Sequence, residues 1–533
     1  MFSRRDFLIG ATAAAASPAI PSWAAGAQVL RIGMTASDLP STHGIPNNGG
    51  EGYRFLGYLA YDSVVNWDFR HVDQTADITP GLFAAWKNDE GNPNRWICSV
   101  RQGVRFHDGS AFDADAVIFN LRRIFDDKSP QYDAPAAPIV RATVSMVASF
   151  EKADDKTIVI LTKYPFSFLP YLLSRILIVS PAQWEKVGKS WAEFSKAPSG
   201  TGPFKITRVV PGQYAEMTRN ADYWDATRIP KIDKLVVYPM PEATTRVAAL
   251  RSGQVDWIEV PPPDSIPSLK AAGFQISLWP YPHTYPYALN TTQGSPFHDV
   301  RVRQAANYAI DREGMCKMLN GIAKPAMGLY PPDNPVFGTP KNRYGYDPER
   351  ARALLKEAGY GPDKPVRAKI MISTSGSGQM LPIPMNEFMQ QNFKAVGIEV
   401  EFDVVEWGTM LVAIRNAPTA PQSHGVDGIN ISLSYTDPSS MFRYYAKDSF
   451  SPVNYNWGHW DNEEATGLLR RAQATFDPGE QTKLLAQAHA IVVDEAPWLF
   501  IVHDLNPRSM SKKVRNFHPA QSWYQDFTQV SME

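Results

Sequence analysis

A chain of 533 residues is longer than one hydrophobic core usually serves, so at least two domains are expected. Aromatic residues make up 12% and charged residues 20% of it, as in a globular protein with large apolar surfaces, and the formal net charge is −1. Such near-neutrality gives no electrostatic case for nucleic acid or an anionic membrane as a partner.

The first element is a leader. Ser3-Arg4-Arg5-Asp6-Phe7-Leu8 precedes a mild apolar run, Ile9 to Ala16, and small residues follow around Ser22-Trp23-Ala24 and Ala25-Gly26-Ala27. A charged start, a short apolar middle and a small-residue end predict a secretory signal over 1–27, cleaved after Ala24 or after Ala27. The apolar run is too short to span a bilayer, and no other long apolar segment follows. The paired arginines before Phe-Leu resemble a twin-arginine signal; the alternative is a chance Arg-Arg in an ordinary leader. Losing the leader removes Arg4, Arg5 and Asp6, a net +1, and leaves −2. No cysteine follows the small residues, which argues against a lipid anchor. The expectation is a soluble protein of a Gram-negative periplasm.

Val29–Met34 alternates like a strand, and the loop Thr35–Gly52 is polar and glycine-rich. A helix is predicted around Tyr53–Tyr61, then Ser63–Trp67, Leu82–Trp86 and a strand Trp96–Arg101. Arg105–Gly109 forms a turn, and Asp113 is placed to cap the next helix. Phe166–Pro181 is apolar and punctuated by proline. Gly200–Phe204 is a Gly-Pro turn feeding a strand. Arg246–Trp257 is a helix stopped by Gly253, then a short strand. Pro296–Arg312 is a helix entered from a turn, with Val302, Ala305, Ala306, Ala309 and Ile310 at helical spacing. Helices follow near 351–360, Asn386–Val396, Leu468–Ala474 and Gln481–Ile491, with strands at Lys369–Ser373, Ile398–Val405 and Trp498–His503. Strands alternating with helices predict an α/β protein with mixed sheets.

Several of these pieces occur together: GTGPF at 200–204, NADYW at 220–224, PKIDKLVV at 230–237, RVAALRSGQVDW at 246–257 and PFHDVRVRQAANYAIDR at 296–312. With GLFAAW and RQGVRFHDGSAFDADAVIF upstream, the set resembles the peptide/nickel class (family 5) of extracytoplasmic solute-binding proteins that serve ABC importers. The resemblance implies a two-lobed periplasmic-binding-protein fold with a hinge. Carried over, lobe I is 28–290 with an extra subdomain at about 56–198, lobe II is 291–499, and 500–533 returns to lobe I. The crossings fall near Tyr287–Thr291 and Leu499–Asp504. It also implies a monomer that takes a small-molecule solute into the cleft between lobes and hands it to an inner-membrane ABC permease, with no cofactor and no enzymatic activity.

A reaction centre is not evident. No HExxH, CxxC or GxSxG occurs, and the ten histidines are scattered. Ser375-Gly376-Ser377-Gly378 reads as a flexible strand-to-helix turn, and His107-Asp108-Gly109 as a tight turn. Asp113/Asp115 and Glu463/Glu464 read as helix N-terminal charges. Cys98 and Cys316 read as separate buried thiols, with a disulfide as the alternative.

The binding candidates cluster at 430–460: Ser434, Tyr435, Thr436 and Asp437 at an Asp-Pro turn, and Asn456, Trp457 and Trp460 in an aromatic–amide run, with Trp407 added. Trp457 is expected to face the cleft; the alternative makes Trp460 and a neighbour core. The resemblance also has gaps. Peptide-binding relatives place a carboxylate for the α-ammonium where this chain has Ser434. Dipeptide-binding relatives place an arginine before the helix matching Glu387–Val396, yet no Lys or Arg lies between Lys369 and Lys394. The expected cargo is therefore neutral or weakly charged: an oligosaccharide or glycoside, an opine-like conjugate or a modified peptide. Alternatives are an ordinary peptide receptor, a metal-chelate receptor (His459 would suit the nickel branch) and a Tat-exported enzyme.

Overall fold

The computed structural model describes residues 26–45, 47, 52–376 and 378–533. The expected leader, up to Ala25, and five positions of the loop 35–52 lie outside the described residues. Two seven-stranded mixed sheets form the two lobes, and a four-stranded sheet forms a subdomain.

The first sheet runs Gln275–Ser277, Arg508–Met510, Trp257–Glu259, Val29–Met34, Lys234–Pro239, Tyr214–Arg219, Phe204–Val210. Val29–Met34 is central and pairs in parallel with both neighbours, and its Leu30, Ile32 and Met34 are fully buried. The second sheet runs Ala323–Pro325, Trp498–Asp504, His283–Leu289, Gly428–Asn430, Val366–Ser373, Ile398–Val405, with Leu433–Ser434 also paired to His283–Leu289. In the subdomain, Phe83–Asp89, Asn92–Val100, Thr157–Thr162 and Val147–Asp154 form an antiparallel sheet packed on the helix Ala114–Phe125, which Asp113 caps through the Ala116 N–H.

These sheets relocate both crossings. The chain leaves the first sheet at Ser277 and enters the second at His283, not near Tyr287–Thr291. It returns between Asp504 and Arg508, after the strand expected to contain the crossing. The first lobe thus ends before 290, and the second reaches beyond 499. His283–Leu289 is buried throughout, with Tyr285 and Tyr287 in the second-lobe core. The polar Asn290-Thr291-Thr292 after it is a turn, tied by Asn290 Oδ1 accepting from the Thr292 N–H (3.0 Å).

The motifs of the Gly200–Arg312 block have structural work. Thr201, Tyr223 and Trp224 all donate to the buried Asp62 carboxylate, at 2.9, 2.7 and 2.7 Å. His107 Nδ1 accepts from the Gly200 N–H (3.3 Å) and Nε2 donates to the Gly202 carbonyl (2.9 Å), so His107-Asp108-Gly109 staples this turn. Position 202 requires glycine because a Cβ there would stand 2.4 Å from the Ala60 carbonyl carbon. The predicted helix at 296–312 is divided: Val300–Tyr308 ends, and Asp311 caps a new helix, Arg312–Met318. Arg312 is buried and donates to the carbonyls of Ala326, Phe500, Asn307, Ile310 and Tyr344 and to Asn307 Oδ1.

Cys98 lies in the subdomain sheet and Cys316 in the second lobe, both as free thiols. Burial raises each to about 12.

Candidate functional site

A cavity of about 420 Å³ lies between the lobes. Its second-lobe wall comes from three consecutive pieces of chain. After the strand Ile398–Val405 the helix Trp407–Ala413 begins; Trp407, Leu411, Ile414 and Arg415 share one face by helical spacing and line the cavity. Ile431 to Ser434 form the floor. Gln379 fixes that floor: Oε1 accepts from the Ser432 N–H (2.7 Å), and Nε2 donates to the Asn430 carbonyl (3.2 Å). The Asp437-Pro438 turn then opens the short helix Ser440–Tyr445, which presents Arg443 and Tyr444.

The first-lobe wall is Tyr53, Arg175, Trp523 and Tyr524, with Ile139 and Thr143 one helical turn apart beside them. Tyr53 and Tyr58 hold the backbone of Ser174 and Arg175 by donating to their carbonyls, at 3.1 Å to Arg175 and 2.8 Å to Ser174. Trp523 stacks near His283 (ring centroids 4.8 Å) and Tyr281 (5.6 Å). Gly376 and Gly378 come close to the rings of the cavity wall, Gly376 to Trp407. Gly378 has φ 73°, and a Cβ there would stand 2.8 Å from both His283 and Trp523, so these glycines serve close packing against the cavity wall.

The charges of the wall are one-sided. Arg175, Arg415 and Arg443 line it, and among the described residues no Asp or Glu does. Arg443 Nη2 donates to Asp437 Oδ2 and Ser440 Oγ, both at 3.0 Å. Burial opposes the Arg443 charge, and Asp437 together with Tyr444 and Tyr455 outweighs it. Arg175 has no such partner: its guanidinium lies 5.3 Å from the Tyr53 ring centroid and makes no hydrogen bond or ion pair among the described residues. Burial opposes its charge too, but Tyr524, Tyr58 and Tyr53 with Asp437 outweigh that, and it stays ionised.

Of the eight sequence candidates, Ser434 and Trp407 line the cavity. Asp437 stands one step behind, buried, accepting from the Ser439 N–H and hydroxyl and from Arg443. Tyr435 and Thr436 are buried and turned away from the cavity; Tyr435 packs edge-on against Tyr330. Asn456 braces its own loop by donating to the Ala446 and Trp460 carbonyls. Trp457, expected to face the cleft, is 0% exposed and donates to Ser423 Oγ (3.3 Å). Trp460 packs edge-on against Tyr445. The aromatic run does reach the cavity, but through Tyr455, held beside Tyr444 by its N–H to the Arg443 carbonyl (3.2 Å). His459 stacks on Phe450 at 4.5 Å and is structural. Among the described residues no group of three His, Cys, Asp or Glu gathers as for a metal ion.

Sequence reasoning missed Arg175, Arg415, Tyr53, Trp523 and Tyr524. They come from four distant segments that only the fold brings together. The Trp-Tyr pair in a polar tail was the one available signal.

With this geometry in hand, the comparisons are specific. Residues 77–452 match the family model described as bacterial extracellular solute-binding proteins, family 5. The glutathione-binding protein of Pectobacterium atrosepticum is 27% identical over 541 residues, covering 97% of this chain and 96% of its own. A dipeptide-binding protein from Pseudoalteromonas, solved with Met-Leu, superposes with a TM-score of 0.80 at 22% identity over 95% of this chain and 100% of that one. A binding protein from A. tumefaciens R10, solved with agropinic acid, gives 0.76 at 21% identity over 95% and 99%. At these identities the two solved structures speak to the fold alone, which is that of two-lobed periplasmic binding proteins.

Proposed function

This chain belongs to family 5 of the bacterial extracellular solute-binding proteins, which serve ABC importers, and from that premise we propose that it captures a small solute in the interlobe cavity and delivers it to an inner-membrane permease. The observation that carries this reading is the cavity itself: about 420 Å³, walled from both lobes, and lined by aromatic rings with a few cationic groups. Such a site binds and releases. It works as a monomer, exported to the periplasm by the twin-arginine leader and needing no cofactor.

For the cargo we propose a solute without a free α-ammonium. Asp437 is engaged by Arg443 and Ser439, so the described wall offers no carboxylate to an ammonium. An unpaired buried ammonium would cost on the order of 2–5 kcal/mol. Among the classes expected, the three arginines favour the acidic ones, an opine-like conjugate or an N-modified peptide, over a neutral glycoside.

The test is mass spectrometry of solutes released from protein purified out of its native periplasm, followed by calorimetry with the mature protein. One dominant solute that binds unchanged, and whose uptake is lost on deleting the gene, supports the reading. Turnover of that solute would overturn it. A reporter carrying residues 1–27 that still reaches the periplasm of a Tat-deficient strain would overturn the export route.

A further inference from the structure

Arg175 and Arg443 reach the same cavity from opposite lobes. Arg175 is fixed to the first lobe through Tyr53 and Tyr58, and Arg443 to the second through Asp437 and Ser440. Arg443 has a local counter-ion at 3.0 Å, and its Nε is buried with no partner. Arg175 has none, and its positive charge bears on Arg443. Two like charges lining one cavity repel, and an anion placed between them reverses the sign of the interaction. The carboxylate present, Asp437, is hydrogen-bonded to Ser439 and Arg443 on the second-lobe side and acts on Arg175 only through space.

We propose that an acidic group of the solute bridges Arg175 of the first lobe and Arg443 of the second, and that this bridge couples ligand charge to closure of the lobes. The inference rests on the receptor reading above and adds to it a named anchor and a trigger. Without the anion, the two guanidinium groups hold the lobes apart at this point. With it, each lobe gains a charge-assisted contact only in the closed state, which is the differential interaction a population shift requires. Apolar or flat parts of the same solute would rest on Trp407 and Tyr455. A neutral solute of the same shape would meet the rings but leave the repulsion in place.

The experiment uses the mature protein and probes in matched pairs: N-acetyl-Leu-Trp as the free acid and as its carboxamide, beside the free dipeptide Leu-Trp and the solute released from the native protein. Affinity is read by calorimetry and closure by small-angle scattering, for wild type, Arg175→Gln and Arg175→Lys. The expected result is that the released solute carries an acidic group, that acids bind better than carboxamides, and that R175Q weakens the acids by about 30-fold or more. R175K should recover part of this, and R175Q should remove the anion-induced compaction. Unliganded R175Q should melt close to wild type, because the guanidinium makes no hydrogen bond or ion pair to lose; a clearly lower midpoint would mark a structural role and overturn the proposal. A neutral released solute, or acids bound equally by R175Q, would also overturn it while leaving the receptor reading intact. No released solute and no binding by any probe would overturn both.

Discussion

Arg312 and Arg175 are the same residue type in the same chain, and their surroundings are opposite. Arg312 lies in the Gly200–Arg312 block and donates to five backbone carbonyls and the side chain of Asn307. Arg175 lies on the cavity wall, and its guanidinium makes no hydrogen bond or ion pair among the described residues. The same contrast separates Trp457, buried with its N–H placed on Ser423, from Trp407, whose ring meets the cavity. Polar groups that build a fold are satisfied within it, because an unsatisfied buried donor or acceptor is costly. Polar groups left open on a concave wall are available to a ligand. For these four residues saturation separates the two roles better than residue type does.

The severest way to break that contrast is Arg312→Met. It strands five carbonyls that one guanidinium serves, and it should cost about 3–5 kcal/mol in chemical denaturation. The fraction that remains folded should bind solute normally. A loss below about 1 kcal/mol would mean that saturation does not identify scaffold residues. Next in size is Trp457→Leu, which removes a fully buried indole and should cost about 2–3 kcal/mol without changing solute affinity. A stable W457L with weakened binding would restore Trp457 to the cleft.

Much of the scaffold was legible in the sequence because its signals are local. Asp113 caps its helix, Gly253 ends another with φ 76°, and the alternation of Val29–Met34 matches its burial. Those features depend on neighbours a few residues away. The cavity depends on neighbours hundreds of residues away: Arg175 lies inside an apolar, proline-punctuated run and gains its meaning only from Arg443 and Tyr53. From Ser434 and the run before Glu387, two of the anchors that the resemblance implies are expected to be missing. Those departures did not show that arginines from elsewhere occupy the cavity. In the run 454–460 the composition announced aromatic packing, yet only the loop's path decides that Tyr455 faces the cavity and Trp457 the core. The crossing near Tyr287–Thr291 was carried over from the resemblance and not read from local signals, and the chain passes between the two sheets at 278–282, before His283.

A change of pH sharpens the scaffold half of the comparison. Burial lowers His107 and His489 to about 4, from an ordinary value near 6.5. His489 Nε2 accepts from the Leu329 N–H (3.0 Å) while Nδ1 donates to the Phe337 carbonyl (2.8 Å), so a second proton would set donor against donor. The folded state therefore prefers the neutral ring. Its stabilisation is complete above the unfolded value of about 6.5 and is lost as pH falls toward 4. At pH 5 the loss is about 2 kcal/mol for each such histidine. Thermal midpoints measured from pH 7.5 to pH 5 should fall, and His489→Gln should flatten the slope. An unchanged slope would show that these rings are not held neutral by the fold.

The smallest effect tests the other half. Trp407 starts a seven-residue helix, is only partly buried, and rests on Gly376, where a Cβ would stand 2.5 Å from the indole. Trp407→Ala leaves that contact empty, but the exposed part of the ring was already facing the cavity, so stability should change by less than about 1 kcal/mol. Affinity should fall by about 1 kcal/mol, close to a factor of five, because one stacking surface is lost while the arginines remain. The informative quantity is the pair of numbers. Affinity lost with stability kept places Trp407 with Arg175, among groups held open for a ligand. Stability lost with affinity kept would place it with Trp457, and the division by saturation would then fail at the one aromatic residue that lies on the boundary between core and cavity.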